Sequence, residues 1–236
     1  MTPEQVLKQL KSLGNDGYKK MLMNNHRVEE PVYGVKIGDM KPIQKKIKRN
    51  HEMALALYDS GVYDAMYLAG LVADDEKMTK SDLNRWVKVA KGGCLSGTTV
   101  PTVAAEGRYG WEMGNKWIDS KQDHIACAGW STLSCLVSLK EDADLDLKAL
   151  KALVARVKKE IRKAPDAVRY CMNQFLICVA SHVGPLSDHT LETAEKIGKI
   201  EADLGNNACQ LPYAPDYVKK VKDKKGIGWK RKTVKC

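Results

Sequence analysis

Helix punctuation recurs along almost the whole chain and leaves little room for any other secondary structure. Thr2-Pro3-Glu4-Gln5 sets an N-cap, a proline at the first helical position and a capping-box partner ahead of Val6, Leu7, Leu10 and Leu13, with Gly14 to follow. Asp39 can cap a helix whose inner stripe is Met40, Ile43 and Ile47. Asn50 starts another that stops at Gly61, and Thr79 or Ser81 starts one running through Trp86 to Gly92. Residues 125–139 are small and apolar on all sides, as in a helix buried between neighbours. Leu147, Leu150, Val154, Val157 and Ile161 recur every three to four residues with lysines outside, and Pro165 opens a helix through Phe175 and Cys178 to about Ser181. No alternating strand pattern bounded by hairpin turns competes. The expected fold class is all-α, with roughly a dozen helices and short connections.

Helix pairs of ~40 residues stacked in series make an α-solenoid of HEAT-like character, and residues 1–205 read as one such domain. Beyond Gly205, Pro212, Pro215, Gly226 and Gly228 break the periodicity, so residues 206–236 read as a basic C-terminal extension. The 39 basic and 29 acidic residues leave a net charge of +10. Residues 217–236 alone hold nine Lys/Arg against Asp223, and 36–49 hold six against Asp39. Clustered cations suggest a polyanion partner, with nucleic acid first and an acidic membrane surface second. On the helix beginning at Met40, Lys41, Lys45 and Lys48 share one face opposite Met40, Ile43 and Ile47, with Lys46 and Arg49 flanking. That is one face for the core and one for phosphates. Lys148, Lys151, Lys158, Lys159, Arg162 and Lys163 cover the outside of a second helix.

Familiar cofactor and nucleophile chemistry finds no foothold. Cys178 and His182 lie four apart, but two ligands without a second pair make no metal site, and neither a metal nor a cofactor is expected. Gly226-Ile227-Gly228 lacks the strand and third glycine of a dinucleotide loop, and no Walker lysine or GxSxG motif occurs. The seven cysteines lack CxxC spacing. Several of them (Cys127, Cys135, Cys171 and Cys178) sit among apolar residues, as free thiols do in a reducing cytoplasm. Met1-Thr2-Pro3 begins a helix rather than a signal sequence, and Tyr170–Ser187, the longest uncharged stretch, holds Asn173, Gln174, His182 and Pro185 and makes a poor membrane span. A cytoplasmic protein without membrane contact is expected.

The string Tyr33-Gly-Val-Lys-Ile-Gly-Asp-Met-Lys41, with Ile43 and Lys45-Lys46-Ile47, resembles the N-terminal signature of AlkD-like DNA alkylation repair proteins. Val100-Pro101-Thr102 and Lys116-Trp117-Ile118-Asp119-Ser120 are similar to later stretches of that family, and Gly226–Cys236 resembles the basic tail of one branch. The resemblance implies a HEAT-like solenoid whose basic concave face grips DNA. Active members are glycosylases that remove N3- or N7-alkylated purines without extruding the base. They use an Asp to stabilise positive charge on the deoxyribose and Trp side chains beside the lesion. Anchored on Val100-Pro101-Thr102, the carboxylate position falls on Gly97, the preceding Trp on Gly93 and a later aromatic on Phe175. No Asp or Glu occurs anywhere from Leu83 to Ala105, so a slipped register does not restore the acid.

Three readings follow. The first is a DNA-binding solenoid that grips the phosphate backbone through Lys41, Lys45, Lys46, Lys48, Arg49, Lys224, Lys225, Lys230, Arg231 and Lys232, without the family's glycosylase chemistry. The second is a glycosylase with a substitute acid, Glu106 or Asp119, and Trp111 as its indole. The third is a scaffold for a protein partner. In the first, the tail follows a DNA backbone while Trp229 stacks or anchors; the alternative packs the tail against the solenoid.

Overall fold

The computed structural model describes residues 1–29, 31–92, 94–205 and 211–235, and these contain helices and no strands. Thirteen α-helices follow one another: α1 (Pro3–Ser12), α2 (Asp16–His26), α3 (Ile37–Ile47), α4 (His51–Asp59), α5 (Tyr63–Val72), α6 (Lys80–Val89), α7 (Val100–Glu106), α8 (Gly110–Trp117), α9 (Asp123–Leu139), α10 (Leu147–Glu160), α11 (Asp166–His182), α12 (Ser187–Ile197) and α13 (Ala214–Lys225). A π-helical turn, Leu95–Thr99, runs directly into α7.

The caps work as their residue types dictate. Thr2 and Gln5 close a capping box on α1, Thr79 and Asp82 close one on α6, and Asn15, Asn50 and Asp146 cap α2, α4 and α10. Two starts differ from expectation. Asp39 lies inside the first turn of α3, whose N-cap is Lys36, so its charge faces the positive end of the helix dipole instead of capping it. The segment beyond Gly205 also contains a helix, α13; Pro215 sits in its first turn, where a missing N–H costs nothing.

Helices α5, α7, α9, α11 and α13 pack on one another in chain order, and α4, α6, α8, α10 and α12 flank them. The apolar interior forms two clusters that meet in α9: Ile125 and Ala128 belong to one, Ala126, Cys127 and Trp130 to the other. A helix shared by both clusters must be apolar all round, which accounts for the composition of 125–139. Ala214 and Val218 of α13 join the second cluster, so the basic extension is anchored in the core. Close approach within the row depends on glycine. A Cβ on Gly70 of α5 would lie 2.5 Å from Thr99 Cγ2 in the π-turn.

Candidate nucleic-acid interface

The signature string earns its residues structurally. Asp64, fully buried at the start of α5, accepts hydrogen bonds from Tyr33 N (2.6 Å) and Val35 N (2.7 Å), which fixes the loop that launches α3. Gly34 between them has φ +78°, and a Cβ there would meet Asn15 O at 2.5 Å. The loop presents α3 with Met40 and Ile43 in the core and Lys41, Lys45, Lys46 and Lys48 exposed. Arg49 differs from these lysines: its guanidinium pairs with Asp74 (3.2 Å) and Asp75 (3.6 Å). The lysines of α10 belong to the flanking row, on a different helix layer from those of α3.

The three positions that the resemblance assigns to catalysis land on contrasting ground. Gly93 lies outside the described residues. Gly97 is exposed at the middle of the π-turn, and a Cβ added there would touch nothing within 4 Å. Phe175 is fully buried and packs on Trp130 with ring centroids 5.2 Å apart, so it is a core residue and presents no ring to a ligand. The substitute groups are scattered. Trp111 packs against the second cluster. Asp119 is ion-paired with Arg156 at 2.7 Å. Glu106, at the end of α7, accepts from Val234 N (2.8 Å) and Thr233 Oγ1. Glu106 and Asp119 thus flank α8 in the chain and are held by different partners, the strap and Arg156, so nothing joins them in a single reacting centre.

Residues 226–235 form a strap across the ends of the buried row. Gly228 N donates to Ser181 O at the end of α11 (2.9 Å), and Arg231 N to Ser138 O at the end of α9 (2.7 Å). His182 Nδ1 bonds the Trp229 carbonyl. Lys230 Nζ reaches Val137 O (3.1 Å) and Asp142 (2.8 Å); Lys235 Nζ reaches Ala73 O (3.2 Å) and Asp75 (2.6 Å). Burial raises the Asp75 carboxyl above its ordinary value, against the opposing pull of Lys235 and Arg49. Lys230 was expected at DNA; its side chain is 10% exposed and engaged internally. Lys224, Lys225, Arg231 and Lys232 are exposed, and Lys225 and Arg231 flank the Trp229 ring at 5.2 and 5.6 Å from its centroid.

Where the strap meets the end of α3, a cleft of about 620 Å³ is bounded by Gln44, Lys45, Lys48, Arg49, Asp75 and Lys235. A larger cleft, about 770 Å³ between α6 and α8, includes Arg85, Lys88 and Trp117 and holds none of the family positions. Among the described residues, no helix is long and apolar enough to cross a membrane, and no three His, Cys, Asp or Glu side chains gather to hold a metal.

Residues 6–182 match the family described as DNA alkylation repair enzyme. The chain belongs to that family. A solved structure described as a new family of proteins related to the HEAT-like repeat DNA glycosylases, with affinity for branched DNA structures, superposes with a TM-score of 0.91 at 36% identity, covering both chains completely. The fold is therefore a HEAT-like solenoid. The uncharacterized proteins Lin0241 of Listeria innocua and Lmo0209 of Listeria monocytogenes are each 28% identical over 229 residues, spanning 95% of this chain and 99% of theirs.

Within this family member, Asp64, Asp75 and Asp142 carry structural roles that a residue-by-residue reading did not single out. Asp74-Asp75-Glu76 is visible in sequence as an acidic cluster after a helix. Nothing local pairs it with Lys235, 160 residues away.

Proposed function

We propose that this protein is a non-catalytic, cytoplasmic DNA-binding solenoid that holds the phosphate backbone, with branched DNA as its preferred partner. One observation carries the reading: residues 83–105, where the resemblance puts the glycosylases' carboxylate, hold no acid, and Gly97 there is bare and exposed, while exposed lysines remain on α3. Losing one preorganised electrostatic group commonly costs ~10²–10³ in rate. The affinity for branched DNA described for the 36%-identical structure supports the choice of partner. Glu106 and Asp119, already engaged by Val234 and Arg156, make poor substitute acids. Contacts to phosphate come from Lys41, Lys45, Lys46 and Lys48, and at the other end of the row from Lys224, Lys225, Arg231 and Lys232.

The test runs two assays on one preparation. Binding to a four-way DNA junction should weaken steeply as salt rises, and base release from N7- and N3-methylated duplex should stay at background. Release at the rate of an active glycosylase, lost in Glu106→Gln or Asp119→Asn, would revive the enzymatic reading. Little or no DNA binding at low salt would point to a protein partner instead.

A further inference from the structure

The strap bonds Ala73, Glu106, Ser138 and Ser181 at the C-terminal ends of α5, α7, α9 and α11, so these four ends line one edge of the molecule. Each helix end carries roughly half a negative charge, about two in all. Asp75, Glu106 and Asp142 stand on the same edge through their bonds to the strap. Left bare, such an edge repels a polyanion.

The strap is built to cover it. Its backbone N–H groups at Gly228, Arg231 and Val234 meet α11, α9 and α7 in turn, one helix every three residues. Three residues of extended chain span about 10 Å, the spacing of packed helices. Lys235 then reaches α5 with its side chain. Residues 226–235 bring Lys230, Arg231, Lys232 and Lys235 and no acid. The four cations divide by direction. Lys230 and Lys235 turn inward, 10% and 14% exposed, onto Asp142 and Asp75; Arg231 and Lys232 turn outward. Arg231 also lies near the half-buried Cys135 of α9 and Cys178 of α11. Burial pushes both thiols up, Cys135 to about 12, and the Arg231 charge opposes the rise.

We propose that the strap offsets most of the negative charge of this edge and sets outward cations on it, so that the C-terminal ends of four helices become part of the DNA-binding surface, with Arg231 and Lys232 as phosphate contacts and Lys230 and Lys235 as positioning residues. The inference rests on the DNA-binding reading and adds a division of labour among the tail cations. A loose basic tail would use all of them on DNA. This strap uses two.

Salt titrations on four-way junction DNA, beside amide hydrogen exchange, test it. Arg231→Ala with Lys232→Ala should lower the slope of log K against log salt by about 1.8, at ~0.9 per phosphate contact, with exchange unchanged. Lys235→Met removes an inward cation without truncating the chain. It should speed exchange in the last turns of α5 and α7 and weaken binding by several-fold. A slope unmoved by the double substitution, with the wild type binding, would overturn this proposal alone. A wild type that binds no DNA would sink both readings. Exchange unchanged in Lys235→Met would remove the positioning role.

Discussion

Two residues show how far a buried group's neighbours decide its part. Asp64 is a carboxylate with no exposure, and it serves the backbone of the signature loop rather than a ligand. Asp64→Ala would leave two buried N–H groups without an acceptor, each worth ~1–3 kcal/mol. The expected loss is about 2–6 kcal/mol, seen as a melting temperature lower by roughly 4–24 °C. Phe175 makes the complementary case. Restoring the family's indole by Phe175→Trp should overpack the contact with Trp130 and cost about 1–3 kcal/mol, with no gain in base release; a variant of unchanged denaturant midpoint would mean the site has room. The resemblance to the family puts an aromatic position at 175, and the ring there is fully buried against Trp130. Sequence shows residue type at a position, and only packing shows which way the side chain faces.

At the scale of elements, the readable parts were those written locally. The capping boxes of α1 and α6 use residues three apart, and the all-round apolarity of α9 reports the two clusters it joins. The lysine face of α3 was equally legible, because Met40 and Ile43 fix which side is buried. By contrast, α13 hid behind Pro215, which reads as a breaker until it is placed in a first turn. The π-turn left no sequence mark beyond Gly97. The strap was the least legible element, since its partners lie between 47 and 162 residues away. It carries a pH dependence of its own. Burial lowers the His182 imidazole, with Arg231 and Lys230 acting in the same direction and the bond to the Trp229 carbonyl opposing them. The unfolded chain therefore binds more protons below its ordinary value of about 6.5. Stability should be full above that pH and fall as pH drops through it. Asp75, raised by burial, works in the opposite sense at lower pH. Urea midpoints measured from pH 7.5 to 5.5 should decline in the wild type and flatten in His182→Gln.

The whole molecule combines two kinds of contact. Neighbouring helices of the row and its flank meet soon after one another in the chain, which lets a solenoid form repeat by repeat. The strap is the exception, since it joins Lys235 to an acid 160 residues earlier, a long-range closure that costs more chain entropy than the local packing does. During synthesis that separation becomes time. Asp75 and Glu106 are made more than a hundred residues before the strap, so in a growing chain Glu106 has not yet met Thr233 and Val234, and Asp75 has Arg49 but not Lys235. On the proposed DNA-binding reading, this edge would gain its outward cations, Arg231 and Lys232, only once residues 226–235 have been made, so the order of synthesis would also be the order in which the molecule becomes able to hold a polyanion there.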